Sequence, residues 1–340
     1  MSKVIRRILI VLIILAMAGY GGRKAYLILT DQSHMDETFY QVETDKLTSK
    51  VRMVFLSDLH LSEFGEDNRD LVERIKQLHP DLILIGGDMN KRQVDDYSSV
   101  LSLCAQLLDI TDVYYGLGNH EVSRMLTHNR DIYNDLVALG VHVLNNTCEQ
   151  VQVGDDVLYI GGLTQTGNDI DKYSNGILEK LAEQDGFKLL LSHYPKDFDR
   201  SSLLDIDLVL SGHLHGGQVN LPYFDGLVDA DGGLFPKYSE GRFIQNDSML
   251  IVSRGLGNSH DLPRVNNPPE LVVIDIAPNV TRYNTARLMA EYSASSIPAP
   301  TTNAETNETF AESNMLKMMR RMEAENAEYE TEALNTDATK

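Results

Sequence analysis

Short apolar runs alternate with helix-spaced segments along the first half of this 340-residue chain. Val51–Leu56 is a β-rich run closed by Ser57-Asp58, which predicts a buried strand. Asp67–His79 sets Leu71, Val72, Ile75 and Leu78 at helical spacing and stops before Pro80, as a helix does. Leu82–Ile85 predicts a second strand ending at Gly86-Gly87, Val100–Leu108 a helix, and Val113–Tyr115 a third strand ending before Gly116. Arg130–Leu139 reads as a helix stopped by Gly140. The second half is richer in strands, with runs at Val141–Leu144, Glu149–Val153, Val157–Ile160, Lys188–Leu191, Leu208–Leu210, Met249–Val252 and Leu271–Ile276, and one helical stretch at Ile177–Glu183. This order predicts a layered α/β domain rather than a helical bundle or an all-β sandwich. No internal repeat is visible.

The two ends break the pattern. Lys3, Arg6 and Arg7 precede an unbroken apolar run from Ile8 to Ala18; Arg23 and Lys24 follow, then mostly apolar Ala25–Leu29. The run fits a secretory signal with Ala16-Met17-Ala18 as a small-x-small cleavage site. It also fits an uncleaved anchor from Ile8 to Leu29, which is the preferred reading. The basic flank favours a cytoplasmic N-terminus and an extracytoplasmic remainder, although Arg23 and Lys24 reduce the asymmetry. Residues 31–50 are polar and read as a connector. Beyond Arg287 the chain turns to Ser, Thr, Ala, Asn and Glu without Gly, which predicts a disordered acidic tail. Within it, Met315, Met318, Met319 and Met322 could share one side of a transient helix. The expected organisation is therefore an N-terminal segment at 1–30, a connector at 31–50, a catalytic domain at 51–287 and a tail at 288–340.

The formal charge of −20 is uneven: +5 over residues 1–30, −19 over 31–287 and −6 over 288–340. An acidic body argues against a nucleic-acid partner, whose affinity comes mainly from Lys and Arg on phosphates. Cys104, in an apolar helical pattern, reads as a buried thiol, and nothing requires it to pair with Cys148.

The chemistry lies where the strands end. Asp58-Leu59-His60, Gly86-Gly87-Asp88, Gly118-Asn119-His120-Glu121, Ser192-His193-Tyr194-Pro195 and Gly212-His213-Leu214-His215-Gly216-Gly217 each deliver Asp, Asn or His. In extended chain i and i+2 share a side, so Asp58 with His60, and His213 with His215, could each reach one ion. Open α/β sheets place ligands at the C-terminal ends of strands. Mixed imidazole, carboxylate and amide oxygen donors without thiolate suit Mn, Fe, Zn or Co, and the set is large enough for two ions.

Taken together, Asp58-x-His60, Gly87-Asp88, Gly118-Asn119-His120-Glu121, His193 and Gly212-His213-x-His215 resemble the calcineurin-like metallophosphoesterase superfamily over roughly residues 50–277. Ser253-Arg254-Gly255-Leu256-Gly257, with Pro268-Pro269-Glu270, resembles its bacterial membrane-associated branch. The resemblance implies an αββα sandwich and a two-metal hydrolase of phosphomonoesters or phosphodiesters. Asp58, His60 and His215 would hold one metal, Asn119, His193 and His213 the other, and Asp88 would bridge them. A hydroxide between the metals would attack phosphorus, and His120 would stabilise charge or protonate the leaving oxygen. Membrane proximity suggests a phospholipid, lipid-linked or cell-envelope phosphate as partner; a cytoplasmic-face pyrophosphatase of a nucleotide-sugar lipid, or a metal-containing binding protein without turnover, are the alternatives. The chain also departs from relatives. Lys91 stands where phosphoprotein phosphatases have the Asp that orients their catalytic His, leaving His120 without an identified partner. Leu214 replaces a common Thr. Arg92, Arg254 and Arg264 are candidate phosphate contacts. His34, His79, His128 and His142 match no ligand motif, and His260 is left open. Substrate choice is expected to lie in loops such as Thr164–Asn175 and Pro222–Arg242.

Overall fold

A computed structural model describes residues 17, 19–24, 34–128, 132–166, 169–220, 226–228, 233–258 and 263–279. Most of Ile8–Leu29, all of 288–340 and His260 lie outside these residues. Among the described residues no helix is long and apolar enough to cross a membrane.

Apolar runs of four to six residues become strands whose side chains are buried on both faces, because helices cover one face and a second sheet covers the other. In chain order the strands are β1 (Asp36–Thr44), β2 (Val51–Leu56), β3 (Leu82–Ile85), β4 (Val113–Gly116), β5 (His142–Leu144), β6 (Thr147–Val153), β7 (Asp156–Leu163), β8 (Phe187–Ser192), β9 (Leu208–Ser211), β10 (Gly241–Gln245), β11 (Ser248–Val252) and β12 (Glu270–Pro278). The helices are α1 (Arg69–Gln77), α2 (Ser98–Leu108), α3 (Asn119–His128), α4 (Ile132–Leu139), α5 (Ile170–Tyr173), α6 (Ile177–Ala182) and α7 (Phe198–Ser201).

One sheet runs β1-β12-β2-β3-β4-β5 and the other β10-β11-β9-β8-β7-β6. Strands β2 to β5 are parallel, with β12 antiparallel to β2 through Val272 opposite Phe55. In the second sheet β11, β9, β8 and β7 are parallel, flanked by antiparallel β10 and β6. Alternation divides the side chains. Val54, Leu56, Ile83, Ile85, Val113 and Tyr115 face Leu71, Ile75, Leu103, Leu107 and Leu136 of the helices in one core. Leu163, Leu190, Val209 and Val252 face Tyr173, Ile177, Leu181 and Phe198 in another. The sheets meet closely between these helical layers: a Cβ on Gly162 of β7 would lie 2.4 Å from Leu144 Cβ of β5. The architecture is the expected layered α/β sandwich.

Three elements differ from the sequence reading. The 31–50 connector contains β1, hidden because Phe39 points outward while Thr38 and Tyr40 are half-buried, so the strand never shows as an apolar run. Helix α1 starts only at Arg69, after Asp67 and Asn68 take left-handed φ values of 55° and 58°. Asn119-His120 lies on the first turn of α3 rather than at the end of β4 itself. Among the described residues, Glu43–Thr48 and 277–279 group as a second small unit, in which Asn279 N–H donates to Thr44 C=O at 2.6 Å. Cys104 and Cys148 are free thiols, and burial pushes the Cys104 thiol up to about 12.

Candidate metal centre

The loops after β2 and β3 run side by side. Asp58 N–H donates to Gly87 C=O at 3.0 Å, His60 N–H to Asp88 C=O at 3.1 Å, and Leu61 N–H to Met89 C=O at 3.1 Å. These bonds hold a backbone that is otherwise unfavourable. Asp58, His60, Asp88, His213 and His215 take φ values of 54°, 46°, 54°, 68° and 50°, in the left-handed region that non-glycine residues seldom occupy. This corrects the geometric argument from sequence: β2 ends at Leu56 and β9 at Ser211. Left-handed turns, not strand alternation, aim each Asp–His and His–His pair.

The side chains converge. Asp58, His60 and His215 form one group of donor atoms within 4.8 Å of one another, Asp88, His193 and His213 a second, and His60, Asp88 and His120 a third. Asp58 Oδ1 lies 3.6 Å from His215 Nε2, 3.8 Å from His60 Nε2 and 3.9 Å from His193 Nε2. Asp88 Oδ2 lies 3.3 Å from His193 Nε2 and 3.9 Å from His60 Nε2. The second oxygen of each carboxylate is committed elsewhere. Asp58 Oδ2 accepts from Ser57 Oγ and from His213 N–H, and Asp88 Oδ1 accepts from His120 N–H at 2.8 Å. Asp88 therefore presents one oxygen to both sides of the cluster.

These residues fit divalent metals. His60 Nε2 and His215 Nε2 face each other at 3.1 Å. A cation about 2.0–2.1 Å from each nitrogen would bridge that spacing. His193 Nδ1–H donates to Gly86 C=O at 2.8 Å, and His215 Nδ1 lies 3.2 Å from both Gly257 C=O and Arg264 Nη2, so that its Nε2 is turned into the cluster. Metal-binding imidazoles are oriented in this way, by a hydrogen bond from the ring nitrogen that faces away from the ion. His193 Nε2 and Asn119 Oδ1 are buried without a hydrogen bond, where a ligand atom belongs. Burial raises the Asp58 carboxyl, but His215, His60 and His193 more than reverse this and hold it well below the usual range. Asp88 is likewise lowered against its burial, by His193, His120 and His60. Burial pushes His215 well down, against the pull of Asp58, so it is neutral and ready to bind. Burial opposes charge on His193 too, but Asp88 and Asp58 win and raise it to about 10; a metal held by His193 Nε2 would take the place of that proton.

A family model for calcineurin-like phosphoesterases matches residues 51–217, which carry every one of these donors. An uncharacterized metallophosphoesterase of Aquifex aeolicus is 28% identical over 268 residues, covering 74% of this chain and 97% of its own length. YkuE, an uncharacterized metallophosphoesterase of Bacillus subtilis, is 27% identical over 274 residues, 77% of this chain and 91% of its own. The chain belongs to the calcineurin-like phosphoesterase family. It is a metal-dependent phosphoesterase. A Danio rerio "transmembrane protein with metallophosphoesterase domain" is 27% identical over 246 residues, 63% of this chain and 54% of that protein.

Two residues of this phosphoesterase gained a role only from the structure. Glu121, the unassigned end of Gly118-Asn119-His120-Glu121, is fully buried. Its carboxylate accepts from Asp88 N–H at 2.9 Å, Met89 N–H at 2.9 Å, Gly118 N–H at 3.1 Å and Tyr115 Oη–H at 3.0 Å. It thereby ties the β3 loop to the start of α3. Asn90 supplies the partner missing for His120, whose Nδ1–H donates to Asn90 C=O at 3.1 Å. The charge that Lys91 fails to provide is replaced by a neutral main-chain carbonyl.

The arginines stand apart from the cluster to different degrees. Arg92 is exposed and donates to Ser123 Oγ at 3.2 Å. Arg254 is turned into carboxylates, with Nη2 3.1 Å from Asp36 and 3.7 Å from Glu270 and Nε 3.7 Å from Glu240. Arg264 is fully buried behind His215, its Nη2 donating to Gly257 C=O at 2.6 Å. His142 pairs with Glu149 at 2.7 Å and stacks on Tyr114.

Close approach also requires a missing side chain. A Cβ on Gly212 would lie 2.1 Å from Asp58 Oδ2, an oxygen already fixed by Ser57 and His213. Gly212→Ala is expected to displace Asp58 and weaken metal affinity about 10–100-fold. Titration of metal-free protein with Mn(II) measures this; an unchanged affinity would show that Asp58 does not hold the ion.

Proposed function

We propose that the cluster holds two divalent transition-metal ions and that the protein hydrolyses phosphomonoesters or phosphodiesters carried on a membrane or cell-envelope substrate. The observation that carries this reading is the convergence of Asp58, His60 and His215 in one donor group and of Asp88, His193 and His213 in another, with Asp88 also grouped with His60. In this reading Asp58, His60 and His215 hold one ion, Asn119, His193 and His213 the other, and Asp88 lies between. Bound ions neutralise phosphoryl oxygens and make water a nucleophile near neutral pH. The chain's own residues do the rest. The β2, β3, β4, β8 and β9 ends fix the donors. His120 faces the reacting group: its side chain is 14% exposed against 0%, 2% and 1% for His60, His193 and His215, so it is the most open imidazole of these four. Burial lowers its basicity, against the pull of Asp88. With Nδ1–H fixed on Asn90, Nε2 is the atom that takes up a second proton, and the imidazolium so formed would hand that proton to the leaving oxygen.

The membrane part of the reading rests on the basic-apolar N-terminal pattern and on what the Danio rerio protein is named. The test is hydrolysis of a soluble monoester and the matching diester, and of a phosphomonoester lipid in vesicles, by the full Mn(II)-loaded chain. Faster turnover on vesicles supports the lipid-borne substrate; turnover only on soluble esters removes it and leaves the phosphoesterase. His120→Ala is expected to lower kcat about 10²–10⁴-fold on an alkyl monoester with metal content unchanged. A loss below tenfold would remove His120 from the chemistry.

A further inference from the structure

We propose that Asn90 is a positioning residue for His120, and that the loop Asn90–Tyr97 is a clamp standing in for the carboxylate that the chain lacks at Lys91. The proposal rests on the reading of His120 as proton donor to the leaving oxygen. Asn90 is fully buried one residue past Met89, and two past Asp88. Its own carbonyl takes the His120 Nδ1–H. Its side chain fixes that carbonyl by closing the loop on itself: Nδ2 donates to Asp96 C=O at 2.9 Å and to Val94 C=O at 3.4 Å, while Oδ1 accepts from Lys91 N–H at 2.7 Å.

The loop is then fastened to the helix that carries His120. Besides His120, α3 offers Ser123 and Arg124, three and four residues on and hence along one face. Ser123 Oγ accepts from Arg92, and Arg124, nearly buried, pairs with Asp95 at 2.9 Å. Three successive contacts on one helix face therefore set the distance between the Asn90 carbonyl and the imidazole. A neutral carbonyl fixes ring orientation and tautomer as a carboxylate would, without adding a negative charge beside the ionised Asp88.

A positioning role separates from a merely structural one by leaving group. Protonation matters for a poorly leaving alkoxide and little for a stabilised aryl oxide. With the full metal-loaded chain, Asn90→Ala is expected to lower kcat about 10–100-fold on an alkyl monoester and less than about threefold on a nitrophenyl monoester. KM and metal content should not change. Asp95→Ala removes an exposed side chain from the other end of the clamp and should give the same split with a smaller amplitude; it decides the matter if Asn90→Ala does not fold. Equal losses on both esters, or a loss that follows metal content, would overturn the proposal. His120→Ala in parallel separates the two ideas. If it shows no split, the proton-donor reading fails; if it splits and neither Asn90→Ala nor Asp95→Ala does, only the clamp fails.

Discussion

Asp88→Asn is expected to lower kcat by at least about 10³-fold, the scale of losing a principal electrostatic stabiliser. The amide fills the same volume, so the fold has little reason to change. The chemistry does. The Oδ1 position must still accept the His120 N–H, so the amide oxygen goes there and the NH₂ turns into the cluster. A donor then stands where His193 Nε2 lies 3.3 Å and His60 Nε2 3.9 Å from a charged oxygen. The site loses a negative charge and gains two N–H groups aimed at the ions. Rate and metal content should therefore fall together, read by ester hydrolysis and by elemental analysis of the same sample.

Glu121→Leu is expected to destabilise the fold by about 3–5 kcal/mol, at the upper end for a single substitution. Four donors lose their acceptor: three N–H groups from two loops and the Tyr115 hydroxyl. Each unsatisfied buried donor costs about 1–3 kcal/mol, so the simple sum is larger than the expected effect. The difference comes from the carboxylate itself. Burial, followed by the Asp88 charge, raises the Glu121 pKa, so removing it also removes an unfavourable desolvation. Glu121→Gln keeps one acceptor oxygen but faces Asp88 or Met89 N–H with a second donor, and should lie between leucine and wild type. Urea denaturation monitored by far-UV circular dichroism measures both. A loss under about 0.5 kcal/mol for leucine, the scale of an inert surface change, would mean that the two loops hold together without Glu121.

These predictions show which parts of the molecule could be read from the sequence. Leu82–Ile85 is legible because four consecutive aliphatics can be buried only where both faces of a sheet are covered. Most of the donor motifs are legible because they follow an apolar run. The convergence of Asp58 with His60 was anticipated, but through strand alternation; the chain uses left-handed backbone held by Gly87, Asp88 and Met89 carbonyls, which no local pattern announces. Glu121 was visible as a letter and not as a role, because its partners are backbone N–H groups brought together from separate loops. The partner of His120 is a main-chain carbonyl, which no side-chain pattern can reveal. For β1, the outward Phe39 and half-buried Thr38 inverted the usual signal.

The most direct test of the two-metal reading is a titration of metal-stripped full-length protein with Mn(II), counting bound ions by native mass spectrometry while following nitrophenyl phosphate hydrolysis, for wild type and Asp88→Asn. Two ions per chain, turnover that appears as they bind, and loss of both in Asp88→Asn are the expected result. Turnover by the metal-stripped protein, or ion binding and hydrolysis that Asp88→Asn leaves intact, would contradict it.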